Sequence, residues 1–160
     1  MNNDINDILS ALKKTPRILR NLVANVDAEL LNEHRVPGKW CAHEHAVHFA
    51  KVETLVIGRI RKFLTEKTPE FKSYVPGTTT PPDELMKLDL KESLKKFTRD
   101  RKTLLGLIKQ LRPKDWRKNA THQNFKSFTP YIAIRHLLMH DYVHLYRIEE
   151  LLLVKNIPKK

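Results

Sequence analysis

A chain of 160 residues with 41% hydrophobic content is long enough for one domain with its own core, and too apolar to be disordered. Its one cysteine, Cys41, excludes an intrachain disulfide framework and fits a reducing compartment. The formal charge is +12, yet the basic residues are interleaved with acids rather than gathered in a block, which argues against a nucleic-acid partner.

The opening stretch MNNDINDILS carries acids where a secretory signal carries bases, and no run approaches the roughly 18 consecutive apolar residues of a membrane span. A cytoplasmic protein without membrane attachment is expected. Asp4 to about Asn32 reads as a first helix, with Ile5, Ile8, Leu12, Leu19, Leu22, Val26 and Leu30 at helical spacing. Thr15-Pro16 predicts a kink or a capped restart within it, because proline removes one backbone hydrogen bond and crowds the preceding turn. His34 falls near the Val36-Pro37-Gly38 turn and should be exposed.

A second helix is predicted from Trp40-Cys41 to about Leu64. Cys41-Ala42-His43-Glu44 has capping-box spacing, with the weak acceptor Cys in the usual Ser or Thr position and Glu44 placed to reach back to the cap amide. Within this helix His48, Val52, Leu55 and Arg59 share a stripe, and His43 and His45 fall at its rim. Glu66 to Pro82 is a long connector rich in Pro and Thr, with Pro76-Gly77 within it. A third helix should start at Asp83 or Asp89 and end near Arg112. Its apolar residues Leu90, Leu94, Phe97, Leu104, Ile108 and Leu111 leave Arg101 in a core slot, where a permanent charge needs a partner. That partner is either a carboxylate or helix-end carbonyls of the protein, or an anion at an interior site. The cluster Lys95, Lys96, Arg99, Arg101 and Lys102 otherwise reads as a solvated face, with phosphate binding as the alternative. Beyond a second connector, Pro113–Phe128, which carries His122 in a polar stretch, Thr129-Pro130 caps a fourth helix that runs to about Lys155. Four long helices without a strand signal indicate an all-α four-helix bundle as a single domain over 1–160.

His140 and His144, four residues apart, share a helix face with Ala133, Leu137, Ile148 and Leu151. Two imidazoles in an apolar stripe need a partner, and a divalent ion suits both at once. With His48 from the second helix they make a sufficient first shell with an open position; on spacing alone, satisfied core histidines remain the other reading. His136, one turn before His140, is either a rim residue or an extra ligand.

The segment from Val36 to His48, VPGKWCAHEHAVH, followed by Glu53, is similar to the P-G-K-W-S-x-x-E-x-x-x-H-x-x-x-x-E segment of the DinB/YfiT-like superfamily. Asp115-Trp116, Thr121-His122, Phe128-Thr129 and the His140-Asp141-x-x-His144-x-x-x-Ile148 run resemble its later blocks. The resemblance implies a four-helix bundle with a long crossover and a divalent ion, commonly nickel or zinc, held by His48, His140 and His144. Members include metal-dependent transferases for thiols such as bacillithiol, thiol-dependent isomerases and hydrolase-like proteins. The departures are Cys41 at the cap and the additional His43, His45 and His136.

The expected function is therefore a metal-dependent thiol S-transferase or hydrolase, with a low-molecular-weight thiol or water as nucleophile and an electrophilic small molecule as partner. Glu44 and Asp141 are candidates to orient ligand histidines, although Asp141 sits one position off the stripe and can equally face solvent. Arg101 could bind a carboxylate of an acidic thiol. Cys41 is read as a cap rather than a nucleophile. The alternative is a non-catalytic, stress-associated binding protein whose basic surface meets anionic partners. A homodimer is compatible with either.

Overall fold

The computed structural model describes residues 3–73, 81 and 83–155. Helix α1 (Asn3–Val23) continues through Thr15-Pro16, where the sequence predicts a kink or a restart. Pro16 has no N–H to offer the Leu12 carbonyl four residues back. That carbonyl accepts instead from Arg101 Nη1 at 2.8 Å, so the gap in the backbone ladder is filled from another helix. The break comes later, at Asn25, whose φ of +60° is a conformation that Asn tolerates better than most residues. The short α2 (Ala28–Asn32) follows, so the stretch expected to reach Asn32 as one helix is two. Gly38, with φ of +70°, makes the turn after Pro37 that a side chain would resist.

Helix α3 (Ala42–Thr65) starts after Cys41, as its capping pattern predicts, and the Glu44 carboxylate accepts the Cys41 N–H at 2.9 Å. The following connector holds β1 (Glu70–Phe71), paired in parallel with β2 (Thr121–His122) in the second connector. The expectation of a strand-free chain is corrected here; strands of two residues are too short to show alternation. The turn signals Pro76-Gly77, Thr78-Thr79-Thr80 and Pro82 lie outside the described residues. A 3-10 turn (Leu85–Lys87) leads to α4 (Leu90–Ile108), whose start is set by Asp89: its carboxylate accepts the Glu92 N–H at 2.7 Å. Helix α4 stops four residues short of Arg112. Pro113 forces Arg112 into an extended conformation and opens α5 (Pro113–Trp116). Helix α6 (Pro130–Leu153) begins as predicted, with Thr129 Oγ1 accepting the Ile132 N–H at 3.3 Å.

Helices α1, α3, α4 and α6 form the bundle. Both α3 and α1 pack on α4 and α6, which puts α1 and α3 on a diagonal. The core falls into two apolar clusters, one containing Leu12, Val56, Leu104 and Leu137, the other Leu19, Phe49, Phe97 and Leu145. Between them in sequence, on each helix in turn, come Thr15, Glu53, Arg101 and Asp141, all buried. On the outer face of α6, Met139, Tyr142, Val143 and Tyr146 are exposed. No helix among the described residues is long and apolar enough to cross a membrane.

Candidate metal centre

Helix α3 carries His48 on the face turned toward α6, and α6 presents His140 and His144 one turn apart. One ligand-type atom from each of the three lies within 4.8 Å of the others. The Nε2 atoms of His48 and His140 are 3.2 Å apart. Two nitrogens bound to one ion at about 2.0–2.1 Å, at angles between octahedral and tetrahedral, are separated by about 2.8–3.4 Å, so this spacing fits a shared divalent ion. Ring centroids are 4.3 Å apart for His140 and His144 and 4.8 Å for His48 and His144.

Aromatic side chains enclose the cluster. Trp40 stacks on His144 at 6.0 Å and meets His48 edge-on at 4.9 Å, while Phe49 packs against His144 at 5.9 Å. Burial is the main reason that the His48 pKa falls to about 3 and that of His144 to about 2, with the neighbouring imidazoles adding to both shifts. Both rings are therefore neutral at pH 7, the form that binds metal.

His45, expected only at the rim, belongs to this group. Its Nδ1 lies 2.8 Å from His144 Nδ1, and burial lowers its pKa to about 4. Such a pair needs one proton between the two nitrogens, so His45 and His144 set each other's tautomer. The three-residue step from His45 to His48 was a signal for this, since it puts both on neighbouring edges of one helix face. His43 is buried rather than at the surface. His136 is exposed and packs edge-on against Phe125 at 5.4 Å; it lies on the rim, outside the convergent group.

The polar layer of the core decides two open readings: Arg101 forms the ion pair with protein carboxylates rather than an anion clamp, and Asp141 is turned inward rather than to solvent. Arg101 is buried, and its donors are taken within the protein: Nε and Nη2 by Glu53 at 2.7 Å each, Nη1 by Asp141 at 2.9 Å, Thr15 Oγ1 at 2.7 Å and the Leu12 carbonyl. It is not placed to bind a substrate carboxylate. Burial works against the guanidinium, but the bonds and charges of Glu53 and Asp141 outweigh it and raise its pKa. Asp141 does not face solvent: its Oδ2 accepts from Arg101 and from Thr15 Oγ1, the latter at 2.7 Å, and its Oδ1 lies 3.9 Å from His140 Nδ1.

Glu44 takes up the capping role and also pairs with His34 Nε2 at 2.8 Å, leaving the exposed His34 tied to the start of α3. The Cys41 thiol is buried, 3.6 Å from Met86 Sδ, and burial raises its pKa, consistent with a cap and not a nucleophile.

The three-histidine cluster forms one end of a cavity of about 280 Å³ between α3, α6 and the second connector. Its walls include Val52, Leu55, Phe125 and Leu137, and Arg59 and His122 also line it.

A four-helix bundle with a buried Arg–Glu–Asp layer beside three convergent histidines defines the class. The chain belongs to the DinB superfamily, whose family model matches residues 11–148. Among solved structures it is similar to YfiT from Bacillus subtilis, described as a probable metal-dependent hydrolase with an unusual four-helix bundle topology. The TM-score is 0.85 at 19% sequence identity, covering 94% of this chain and 87% of that one, a likeness of fold. No curated protein matches the chain.

Proposed function

We propose that this chain is a metal-dependent hydrolase or thiol S-transferase whose ion is held by His48, His140 and His144. The observation that carries the reading is the convergence of three imidazoles from two helices on one cavity with Val52, Leu55, Phe125 and Leu137 in its walls. The description of YfiT as a probable metal-dependent hydrolase supports it.

A divalent ion bound there, nickel or zinc, supplies Lewis acidity that makes a water or a thiol nucleophilic at neutral pH. The protein's own groups prepare that site. His45 accepts or donates the proton shared with His144 Nδ1, which leaves His144 Nε2 to face the cluster. Trp40 and Phe49 shield the rings from bulk water, strengthening every electrostatic contact made inside. The apolar walls of the cavity hold the body of an organic electrophile or ester.

The test is the metal content of purified protein, followed by thiol conjugation and ester hydrolysis by wild type and His144→Ala. Stoichiometric nickel or zinc in the wild type, lost together with turnover in the variant, is expected. A metal-free wild type, or equal turnover in both, would sink the reading.

A second reading, a stress-associated binding protein without catalysis, is favoured by the groove of about 710 Å³ along α1 and α4. Arg20, Lys91, Lys95, Arg99 and Lys102 rim it over the apolar Val23, Leu90 and Leu94. It predicts anion binding that weakens with salt and is indifferent to His144→Ala.

A further inference from the structure

The cavity that ends on the three histidines has a second, chemically different end. Its wall along α3 runs from His48 through Val52, Leu55 and Val56 to Arg59. None of the described residues lining it is an Asp or Glu, and Arg59 supplies its permanent charge. The Arg59 guanidinium rests over the rings of Phe71 at 5.6 Å and Phe128 at 5.3 Å. Nη2 donates to the Lys72 carbonyl at 3.1 Å, and that carbonyl is neutral. Arg101, held by Glu53 at 2.7 Å and Asp141 at 2.9 Å, shows what a guanidinium taken out of water in this protein otherwise receives.

Arg59 has no such counter-charge among the described residues. Burial alone shifts its pKa, downward, with no carboxylate opposing it. Arg59 is half-buried, and a positive charge partly withdrawn from water onto aromatic faces gains from an anion that meets it. The aromatic faces compensate in part, and they also hold the guanidinium in one plane.

We propose that the Arg59 end of the cavity is a carboxylate-binding subsite, so the site takes a small monoanion with an apolar body, its carboxylate on Arg59 and its reactive group at the histidines. This deepens the metal-site reading and rests on it for the reacting end. A carboxylate matches one guanidinium in charge and in planarity, whereas a phosphate dianion would call for a second cation. His122, which also lines the cavity, does not supply one: burial, the charge of Arg59 and His136 all lower its pKa. Arg59 lies eleven residues after His48, about 16 Å of helix rise, so the two ends of the site are about three turns apart on α3.

The experiment measures binding of 4-phenylbutyrate and of its neutral amide, 4-phenylbutanamide, by calorimetry. Chelator-stripped and zinc-loaded protein are compared for wild type, Arg59→Gln and Arg59→Lys. Stripped wild type should prefer the acid by at least about tenfold, the loss of a charge-assisted hydrogen bond. Arg59→Gln should bind both at the amide's affinity, which also shows that the cavity has kept its shape, and Arg59→Lys should keep part of the preference. Equal binding of acid and amide by the wild type, or no binding of either, overturns the subsite. So does a preference that survives Arg59→Gln: if it appears only with zinc, the carboxylate sits on the ion and the metal reading stands alone. A preference in stripped protein that takes up no zinc supports the subsite and removes the metal reading instead.

Discussion

Arg101 Nη1 lies 2.9 Å from Asp141 Oδ2, so a guanidinium on α4 grips the residue next to His140 on α6. The same guanidinium holds Glu53 of α3 through two bonds of 2.7 Å and bonds to Thr15 of α1. One polar layer thus ties all four bundle helices and sets the axial position of α6 against α3. The histidines of those two helices meet only if that register is kept.

Arg101→Met should therefore be strongly destabilising. It leaves the Glu53 and Asp141 carboxylates buried without their cation, a loss of about 3–5 kcal/mol for a broken buried pair. Urea unfolding measures it. Adding Glu53→Gln and Asp141→Asn to Arg101→Met should recover much of the loss, because the uncompensated charges are then gone. A single variant as stable as wild type would show that the layer does not set the bundle.

Asp141→Asn tests a second duty of the same residue. Asn keeps the size and can still accept from Thr15, but it removes the negative charge 3.9 Å from His140 Nδ1. That nitrogen is buried and has no hydrogen-bond partner among the described residues. At 3.9 Å Asp141 acts on His140 through its charge rather than a hydrogen bond, so a loss of about 10-fold in metal affinity is expected, the lower end of what removing an orienting acceptor costs. Competition with a chromophoric zinc chelator reads the change. Unaltered affinity with lowered stability would confine Asp141 to the core layer.

The helices were legible because each carries a periodic apolar face and a cap: Asp89, Thr129-Pro130 and the Cys41–Glu44 pair set three of the four starts. The ligand-type trio was legible for the same reason, since His140 and His144 are one turn apart and His48 lies on an apolar stripe. What periodicity does not encode is which face meets which across helices. Asp141 is one step off the His140 stripe, yet α6 touches both α1 and α3, so that edge is buried as well. The step from His45 to His48 puts both on one helix face, but nothing local says that His45 meets His144, 99 residues further on. A restart at Pro16 was one of the two outcomes expected because its lost hydrogen bond was counted without Arg101, whose donor comes from 85 residues further on and takes the freed carbonyl.

Acid should destabilise the metal-free protein through the same imidazoles. Folding lowers His45 to about 4, His48 to about 3 and His144 to about 2, against 6.5 for the free side chain. Below pH 6.5 the unfolded chain takes up protons that the folded protein refuses. Stability is thus fully present above about pH 6.5 and falls as pH drops toward the folded values. Each histidine contributes up to about 1.4 kcal/mol per pH unit in that window. Urea midpoints of chelator-stripped protein between pH 6.5 and 4.5 check this, and His45→Gln should make the slope shallower. A profile level across that range would contradict it.

Trp40 offers a direct optical report on the cluster. Its ring lies 4.9 Å from His48 and 6.0 Å from His144, so an open-shell ion held by those imidazoles sits within contact range of the indole. Titrating stripped protein with nickel should quench the emission to a plateau at stoichiometric metal, and zinc, with a closed shell, should quench far less. Trp116, the other tryptophan, is on α5 and lines no part of the cavity, so Trp40→Phe should abolish the nickel response while leaving that emission. His140→Ala should weaken the response by weakening the ion's hold, with Trp40 untouched. Quenching that persists in Trp40→Phe would place the ion elsewhere in the molecule.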